Sequence, residues 1–266
     1  MLRDITVGQY LPLSSAVHKM DPRFKLMASM LYIVSLFLVD SFVGYLVVLA
    51  FLSLTVLASK VPYKYLLRGL KPVVMIIFFA FGINIFLTPG TELFSWGIVK
   101  ITQEGVRQAF FMASRLILLI MGTSMLTLTT SPIELTDGLE RLLNPFKRIG
   151  LPAHELAMMM TIALRFIPTL LEETDKIMKA QMARGADFES GNLVKRAKSL
   201  IPLLVPLFIS AFRRADELAM AMEARCYRGG ENRTRMKILK FTYMDIIGTL
   251  VFTLYCGGLI AVRVLV

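Results

Sequence analysis

Five long apolar segments limit what this 266-residue chain can fold into. A helix needs about 20 mostly apolar residues to cross the roughly 30 Å hydrocarbon core of a membrane. Only 18% of the residues are charged and 56% are hydrophobic, which excludes intrinsic disorder, a secreted disulfide scaffold and an ordinary cytosolic enzyme. The sequence predicts an all-α integral membrane protein with about five transmembrane helices, at residues 24–39, 42–58, 70–88, 110–130 and 241–262.

The distribution of lysine and arginine predicts the orientation of these segments, because cytoplasmic loops carry the excess of positive charge. Two basic stretches, at the start of the first segment and between the second and the third, contain Arg3, Lys19, Arg23, Lys25, Lys60, Lys64, Arg68 and Lys71. The turn at 40–41 has no cation, and the loop after the third segment has only Lys100 and Arg107. The N-terminus is therefore predicted to be cytoplasmic. We expect a membrane domain of four spans at 1–130, a cytosolic domain at 131–240 and a C-terminal transmembrane helix at 241–266.

The stretch 131–240 also contains two apolar runs, at 156–171 and 200–212. If both runs crossed the membrane as a hairpin, the basic loop between them would lie outside, against the charge rule. Arg165 interrupts the first run, and the second is short and contains prolines. The sequence therefore predicts two long amphipathic helices beneath the membrane, with their apolar ends against it. The membrane hairpin remains the alternative.

Sequence motifs for catalysis are missing from the chain. It has no GxxxxGK[ST] phosphate loop, HExxH, GxSxG or CxxC, so no enzymatic activity and no cofactor is predicted. Two histidines and two cysteines, Cys226 and Cys256, indicate neither a metal site nor a disulfide. Asp4 and Asp21 break the N-terminus before any apolar core, so no cleavable signal peptide is expected. The net charge of +11 follows the cytoplasmic loops, so no nucleic-acid partner is predicted.

Several polar residues invite a functional role, and each also has an ordinary structural interpretation. Glu173, beside Glu172, is expected on a solvated face, paired along its own helix with lysines. Arg115 and Asp245 lie near predicted span ends, where they are expected to reach the interface. Asn84 is expected to bond to another helix.

A short repeat stands out in the predicted cytosolic domain. The pattern Asp-x4-Ala-x2-Ala-Arg occurs at 175–184 and again at 216–225, which is 41 residues later. Each copy falls at the end of one amphipathic helix, where the helix dipole favours a cation by about 0.3–1 kcal/mol. A simple C-terminal cap is one interpretation. The other is docking to a partner, because small residues permit close approach and arginine binds carboxylates or carbonyls as a fork. The candidate docking residues are Ala183, Arg184, Gly185, Ala224, Arg225 and Cys226.

These residues resemble the signature of the transmembrane T component of energy-coupling-factor (ECF) transporters, a pair of Ala-Arg-Gly motifs on two cytosolic coupling helices. Residues 183–185 match the signature fully, and the second copy differs by Cys226 in place of glycine. The stretch His18–Lys25 and Arg228 are also similar to family sequences. The resemblance covers the whole chain in length, span order and motif position.

The resemblance implies a multi-pass subunit of a prokaryotic cell membrane, which works with separate partners. Two ABC-type ATPase subunits would hydrolyse ATP, and Arg184 and Arg225 would each dock on one of them. Residues 131–240 would be the coupling domain, whose apolar helix halves contact a small substrate-binding membrane subunit that topples in the bilayer. Methionines that suit such a surface are Met158, Met159, Met160, Met220 and Met222.

Three other functions remain open at this point. A self-contained secondary transporter, a membrane scaffold and a conventional permease half would each use a helical membrane protein. The secondary transporter is disfavoured, because broken helices or inverted repeats at the membrane midplane are not visible in the sequence. The sequence predicts uptake of vitamins or other micronutrients only through the resemblance, and it does not name the substrate.

Overall fold

The computed structural model describes residues 10–96, 99–188, 192, 194, 198–229 and 241–265. Arg3 and Asp4 of the sequence analysis lie outside the described residues. The described residues group into two compact units. We call the part within Gly8–Leu142 and Ile238–Val266 the bundle unit, and the part within Leu143–Lys237 the helix-pair unit.

The bundle unit consists of helices and one short hairpin. In chain order its elements are α1 (Pro22–Phe37), α2 (Phe42–Ser59), α3 (Tyr63–Leu70), α4 (Val74–Leu87), β1 (Glu92–Trp96), β2 (Val99–Thr102), α5 (Gln103–Thr129), α6 (Pro132–Leu143) and α9 (Tyr243–Leu265). Helix α5 is central, because α1, α2, α3 and α4 all pack against it, while α9 packs on α1 and α2. The core includes Leu36, Val48, Leu66 and Leu128, whose side chains are almost fully buried.

The helix-pair unit contains two long helices, α7 (Ala153–Ala183) and α8 (Ile201–Ala224), which pack on each other. A 3-10 helix (Asn144–Ile149) precedes α7 and ends at Gly150, whose φ of 92° is in the left-handed region that glycine adopts easily. These two helices correspond to the amphipathic helices predicted from the sequence. The predicted division into a membrane domain at 1–130, a cytosolic domain at 131–240 and a C-terminal transmembrane helix stays a prediction.

The structure differs from the predicted spans at three places in the bundle unit. The predicted third segment, 70–88, corresponds to α4, and a separate short helix, α3, precedes it with a bend of 59° between the two, where Pro72 has no backbone N–H to donate. Helix α5 begins at Gln103, earlier than predicted, because the Thr102 hydroxyl accepts a hydrogen bond from the Gly105 N–H and caps the helix. Before it, β1 and β2 form an antiparallel pair where the sequence analysis expected a loop.

Membrane-length helices are numerous among the described residues. Helices α2, α5, α7 and α9 are long and apolar enough to cross a membrane, and the bent pair α3–α4 makes a fifth if it is one span. Helix α1 has 16 residues, or about 24 Å of helix, and is not among these membrane-length helices, although the sequence predicts the first span at this position. Helix α7 is the least apolar of these helices, and α8 is not among them. The cytoplasmic location of α7 and α8 stays a prediction, with the membrane hairpin as its alternative.

A buried carboxylate connects the two ends of the bundle unit. Asp245 of α9 is 1% exposed and accepts hydrogen bonds from the backbone N–H groups of Asp21 (2.6 Å) and Thr242 (2.7 Å). Asp245 was expected to reach the interface near a span end, and instead it is a buried internal acceptor. This contact fixes the chain just before α1 to the start of α9.

The residues at the start of α1 continue this polar network. Asp21 accepts hydrogen bonds from the Arg23 backbone N–H and guanidinium, at 2.9 Å and 2.7 Å for the shortest of each kind. Burial raises the pKa of the Asp21 carboxyl, but the bonds from Arg23 outweigh burial and hold the pKa below its ordinary value. The Lys25 ammonium donates to the carbonyls of His18 and Thr129. The cationic stretch around residue 20 is therefore a folded cluster.

Two further polar residues form internal bonds. The Arg115 guanidinium donates to the Val39 carbonyl at 3.0 Å and to the Tyr45 hydroxyl at 3.1 Å. It therefore holds the turn between α1 and α2 in place. From the sequence, this side chain was expected to reach the membrane interface. The Asn84 amide donates to the Ala80 carbonyl of its own helix at 2.7 Å. The expectation of a bond to another helix was wrong, because the carbonyl four residues earlier lies within reach.

Thiol labelling tests the predicted orientation of α7. In a chain with Cys226→Ser and Cys256→Ser, Lys176→Cys is expected to resist an impermeant thiol reagent added to intact cells, because a cytoplasmic residue is shielded by the membrane. Lys176 is exposed on α7, so burial within the described residues does not explain resistance. Val264→Cys, at a position 79% exposed near the end of α9, is the control expected to label from outside. Labelling of Lys176→Cys in intact cells would replace the cytoplasmic helix pair with the hairpin.

Candidate functional site

The first copy of the repeat ends α7 with a complete backbone cap. Arg184 is the C-cap residue, the Gly185 N–H donates to the Met182 carbonyl at 3.0 Å, and the Ala186 N–H donates to the Gln181 carbonyl at 3.0 Å. This pair of bonds is a Schellman motif, which satisfies carbonyls that a helix end otherwise leaves unpaired.

The second copy ends α8 in the same way. Arg225 is the C-cap residue, the Cys226 N–H donates to the Glu223 carbonyl at 2.8 Å, and the Tyr227 N–H donates to the Met222 carbonyl at 3.0 Å. Each donor and each acceptor lies 41 residues after its counterpart in the first copy. The sequence repeat is therefore also a structural repeat, with both arginines at the same position of the same cap.

The third residue of each motif has a left-handed backbone. Gly185 has a φ of 87° and Cys226 a φ of 55°. Glycine adopts this conformation freely, whereas a residue with a Cβ does so at a cost on the order of 1 kcal/mol. Cysteine in place of glycine therefore raises the free-energy cost of the left-handed conformation in the second motif, but the hydrogen bonds of the cap are still formed.

The side chains of both motifs face outward. Ala183, Arg184, Ala224 and Arg225 are all exposed, as is Cys226. Neither arginine forms an ion pair with another residue that the structure describes. Backbone N–H groups already pair with two carbonyls of the last turn at each helix end, so these capping bonds do not require the guanidinium groups. Each motif thus presents a planar fork of donors beside a small alanine, a combination suited to binding acceptors on another surface.

A polar cluster joins α7 to α8. The Arg214 guanidinium of α8 donates to the Glu173 carboxylate of α7 at 2.9 Å, and the Ser210 hydroxyl donates to the same carboxylate. Glu173 was expected to pair with lysines of its own helix; its hydrogen bonds go to α8 instead, and Lys176 of its own helix adds only an electrostatic attraction. Ser210 and Arg214 were not predicted from the sequence. One signal was available, because Glu173 and Arg214 are opposite charges separated by 41 residues, the offset of the repeat.

Metal binding has no candidate ligands among the described residues, where no group of three or more His, Cys, Asp or Glu side chains comes together. Cys226 and Cys256 are free thiols.

A substitution at the left-handed position tests the cap. Gly185→Ala is expected to destabilise the end of α7 by about 1 kcal/mol. Hydrogen exchange of the backbone N–H groups near residue 185 should then be roughly fivefold faster, since 1 kcal/mol is a factor of about five at 25 °C. Cys226→Gly, measured in the same way, is the reciprocal variant and should not speed exchange at the end of α8. Unchanged exchange in Gly185→Ala would contradict the left-handed cap.

Comparison with known proteins identifies similar chains over nearly the whole length. Residues 14–236 match the model of the CbiQ family, described as "Cobalt transport protein". The chain is 61% identical over 252 residues to the energy-coupling factor transporter transmembrane protein EcfT of Clostridium kluyveri, covering 94% of this chain and 93% of the relative. It is 59% identical over 262 residues to the protein of that name from Thermosediminibacter oceani, covering 98% and 99%. The protein of that name from Bacillus subtilis is 50% identical over 246 residues, covering 92% and 93%.

Proposed function

The chain belongs to the family of energy-coupling-factor transporter transmembrane proteins, and from this premise we propose that it transmits the ATP-driven motion of two ABC-type ATPase subunits to a separate substrate-binding membrane subunit. Within such a transporter it is the membrane component and not itself an enzyme. The cargo is a vitamin or another micronutrient, and its identity is read by the substrate-binding subunit.

The observation that carries this proposal is the duplicated, exposed arginine cap. Two ATPase subunits require two docking elements, and α7 and α8 end in two elements with the same backbone bonds. Arg184 and Arg225 each extend from the last turn of a helix with an exposed alanine immediately before them. We propose that each arginine enters a groove of one ATPase subunit, where Ala183 and Ala224 permit close contact. Gly185 and Cys226 turn the chain away from the contact.

The apolar halves of α7 and α8 support the second contact, with the substrate-binding subunit. Large side chains on α8 are exposed without a partner among the described residues, including Val205 (52%), Phe208 (60%) and Phe212 (69%). On α7, Met159 is 55% exposed. Val205, Phe208 and Phe212 are spaced three and four residues apart and therefore share one face of α8, and soluble proteins rarely leave an apolar patch of this kind uncovered. We propose that this patch contacts the bilayer surface and the substrate-binding subunit.

Enlarging the motif alanines tests the ATPase contact. Ala183→Leu and Ala224→Leu keep helix propensity nearly unchanged but add bulk at the proposed interface. We expect normal membrane insertion and a reduced yield of copurified ATPase subunits for each variant. Ala215→Leu, at an exposed position of α8 outside the repeat, is the matched control and should leave the yield unchanged. Parental yields for both motif variants would place the alanines outside any tight interface.

Reconstitution separates this function from the alternatives. The chain and the ATPase subunits are incorporated into vesicles with and without the small substrate-binding subunit, and ATP-dependent uptake is measured. We expect uptake only when the small subunit is present. Uptake without it indicates a permease half, uptake without the ATPases indicates a secondary transporter, and binding without any uptake indicates a scaffold.

A further inference from the structure

The polar cluster of Glu173, Ser210 and Arg214 lies where α7 and α8 pack on each other, and we propose that it acts as a pivot that sets the spacing of the two arginine caps. This inference rests on the proposed function, since it concerns how two docking sites are held for two ATPase subunits. In this proposal the three residues position Arg184 and Arg225 and do not contact the ATPases themselves.

The contacts of the cluster cross between the helices. The Glu173 carboxylate has one oxygen within 2.9 Å of the Arg214 guanidinium and accepts from the Ser210 hydroxyl through the other. Ser210 and Arg214 are four residues apart, and therefore lie on one face of α8, one turn apart. One residue of α7 is thus held by two consecutive turns of α8, which restrains sliding of one helix along the other.

The position of the pair relative to the repeat is the second observation, because each residue lies two positions before the start of one copy. Arg214 follows Glu173 by 41 residues, the same offset that relates Arg225 to Arg184. Arg184 therefore lies 11 residues beyond Glu173, and Arg225 lies 11 residues beyond Arg214. At 1.5 Å per residue, each cap is about 16 Å along its helix from the ion pair. The pair joins equivalent points of the two copies, so the caps are equidistant from it.

Equal distances matter for a protein that binds two partners at once. When the two ATPase subunits are associated as a pair and both docking elements are held at the right separation, binding at one cap raises the effective concentration at the other, and avidity can exceed single-site affinity by about 10²–10⁴. Much of that gain is lost when the separation is wrong. Weakening the pivot should therefore reduce two-site binding and leave binding by one cap unchanged.

The test compares two-site and one-site binding in the same titration. Four forms of the chain are placed in lipid nanodiscs and titrated with the purified pair of ATPase subunits: the parent, Glu173→Gln, Arg225→Ala and the double variant. We expect Glu173→Gln to bind the ATPase pair at least about tenfold more weakly than the parent does, which is part of the avidity range. In the Arg225→Ala background the same substitution should change binding by less than about twofold. The matched controls are Glu172→Gln and Arg213→Gln, neighbouring exposed positions of the same charge.

Two outcomes overturn the pivot. Unchanged two-site binding in Glu173→Gln means that the ion pair does not hold the caps, and an equal loss in both backgrounds means that the substitution damages the remaining cap directly. The same experiment tests the proposed docking function separately. If Arg225→Ala alone leaves binding of the ATPase pair unchanged, the docking function is wrong, whatever Glu173→Gln does.

A charge exchange provides an independent measurement. Glu173→Arg and Arg214→Glu each place two like charges in contact, and each should reduce two-site binding. The double variant restores opposite charges and should recover most of the lost binding. Failure of the double variant to exceed either single variant also contradicts the pivot.

Discussion

The double variant Arg184→Ala/Arg225→Ala is expected to lose the ATPase complex almost completely. Truncating one partner of a desolvated, charge-assisted contact typically costs about 2–5 kcal/mol, and the lower value already corresponds to roughly 30-fold in affinity. Each single variant should show a loss of this order, because each arginine engages a different subunit. The measurement is copurification of the ATPase subunits, together with ATP-dependent uptake in reconstituted vesicles.

Lysine variants at the same positions separate docking from capping. Lysine keeps the positive charge but loses the planar fork of the guanidinium, so Arg184→Lys and Arg225→Lys should restore complex formation only in part. If the arginines only stabilised the helix ends, the alanine variants would lose less than about 1 kcal/mol, and lysine would rescue them well. Arg213→Ala, at an exposed position of α8, is the control. A double alanine variant that assembles and transports like the parent contradicts the coupling role of the repeat.

Asp245→Ala is expected to destabilise the bundle unit by about 3 kcal/mol. The substitution removes a carboxylate that is 1% exposed, and the N–H groups of Asp21 and Thr242 lose the acceptor that they share. Hydrogen bonds to charged groups contribute about 1.5–3 kcal/mol each, and an unpaired buried donor adds its desolvation cost. For a chain of this length, about 3 kcal/mol lowers the melting temperature by roughly 6–12 °C. The readout is thermal unfolding in detergent, followed by the loss of the monodisperse species in size-exclusion chromatography.

Two further variants calibrate the Asp245 result. Asp245→Asn keeps one acceptor oxygen and should lose about half as much stability. Asp40→Ala removes a carboxylate that is 85% exposed and 3.3 Å from Arg115, and surface pairs of this kind contribute at most about 1 kcal/mol. A melting temperature for Asp245→Ala that matches Asp40→Ala would mean that the buried bonds are not formed in the membrane protein.

Local patterns in the sequence determined much of this molecule. Apolar length predicted the ends of α2 and α9 to within three residues, because a run of that kind is stable in a bilayer only as a helix with its backbone bonds satisfied internally. The repeat at 175–184 and 216–225 likewise predicted two helix ends with an arginine at each, and both were found at the C-cap. The glycine after Arg184 indicated correctly where α7 ends. These features depend on neighbours within a few residues, so the sequence carries them directly.

Long-range contacts were decided only by the tertiary structure. The bond between Asp21 and Asp245 joins residues 224 positions apart, and the pair of Glu173 and Arg214 joins two helices. In each case the side chain also had a plausible local partner or a route to solvent. The residue that such a side chain bonds to depends on which helices pack together and on which groups they exclude from water. Burial makes an unpaired charge costly, so a buried charge is found with a specific partner. Periodicity and charge order in one chain do not contain that information.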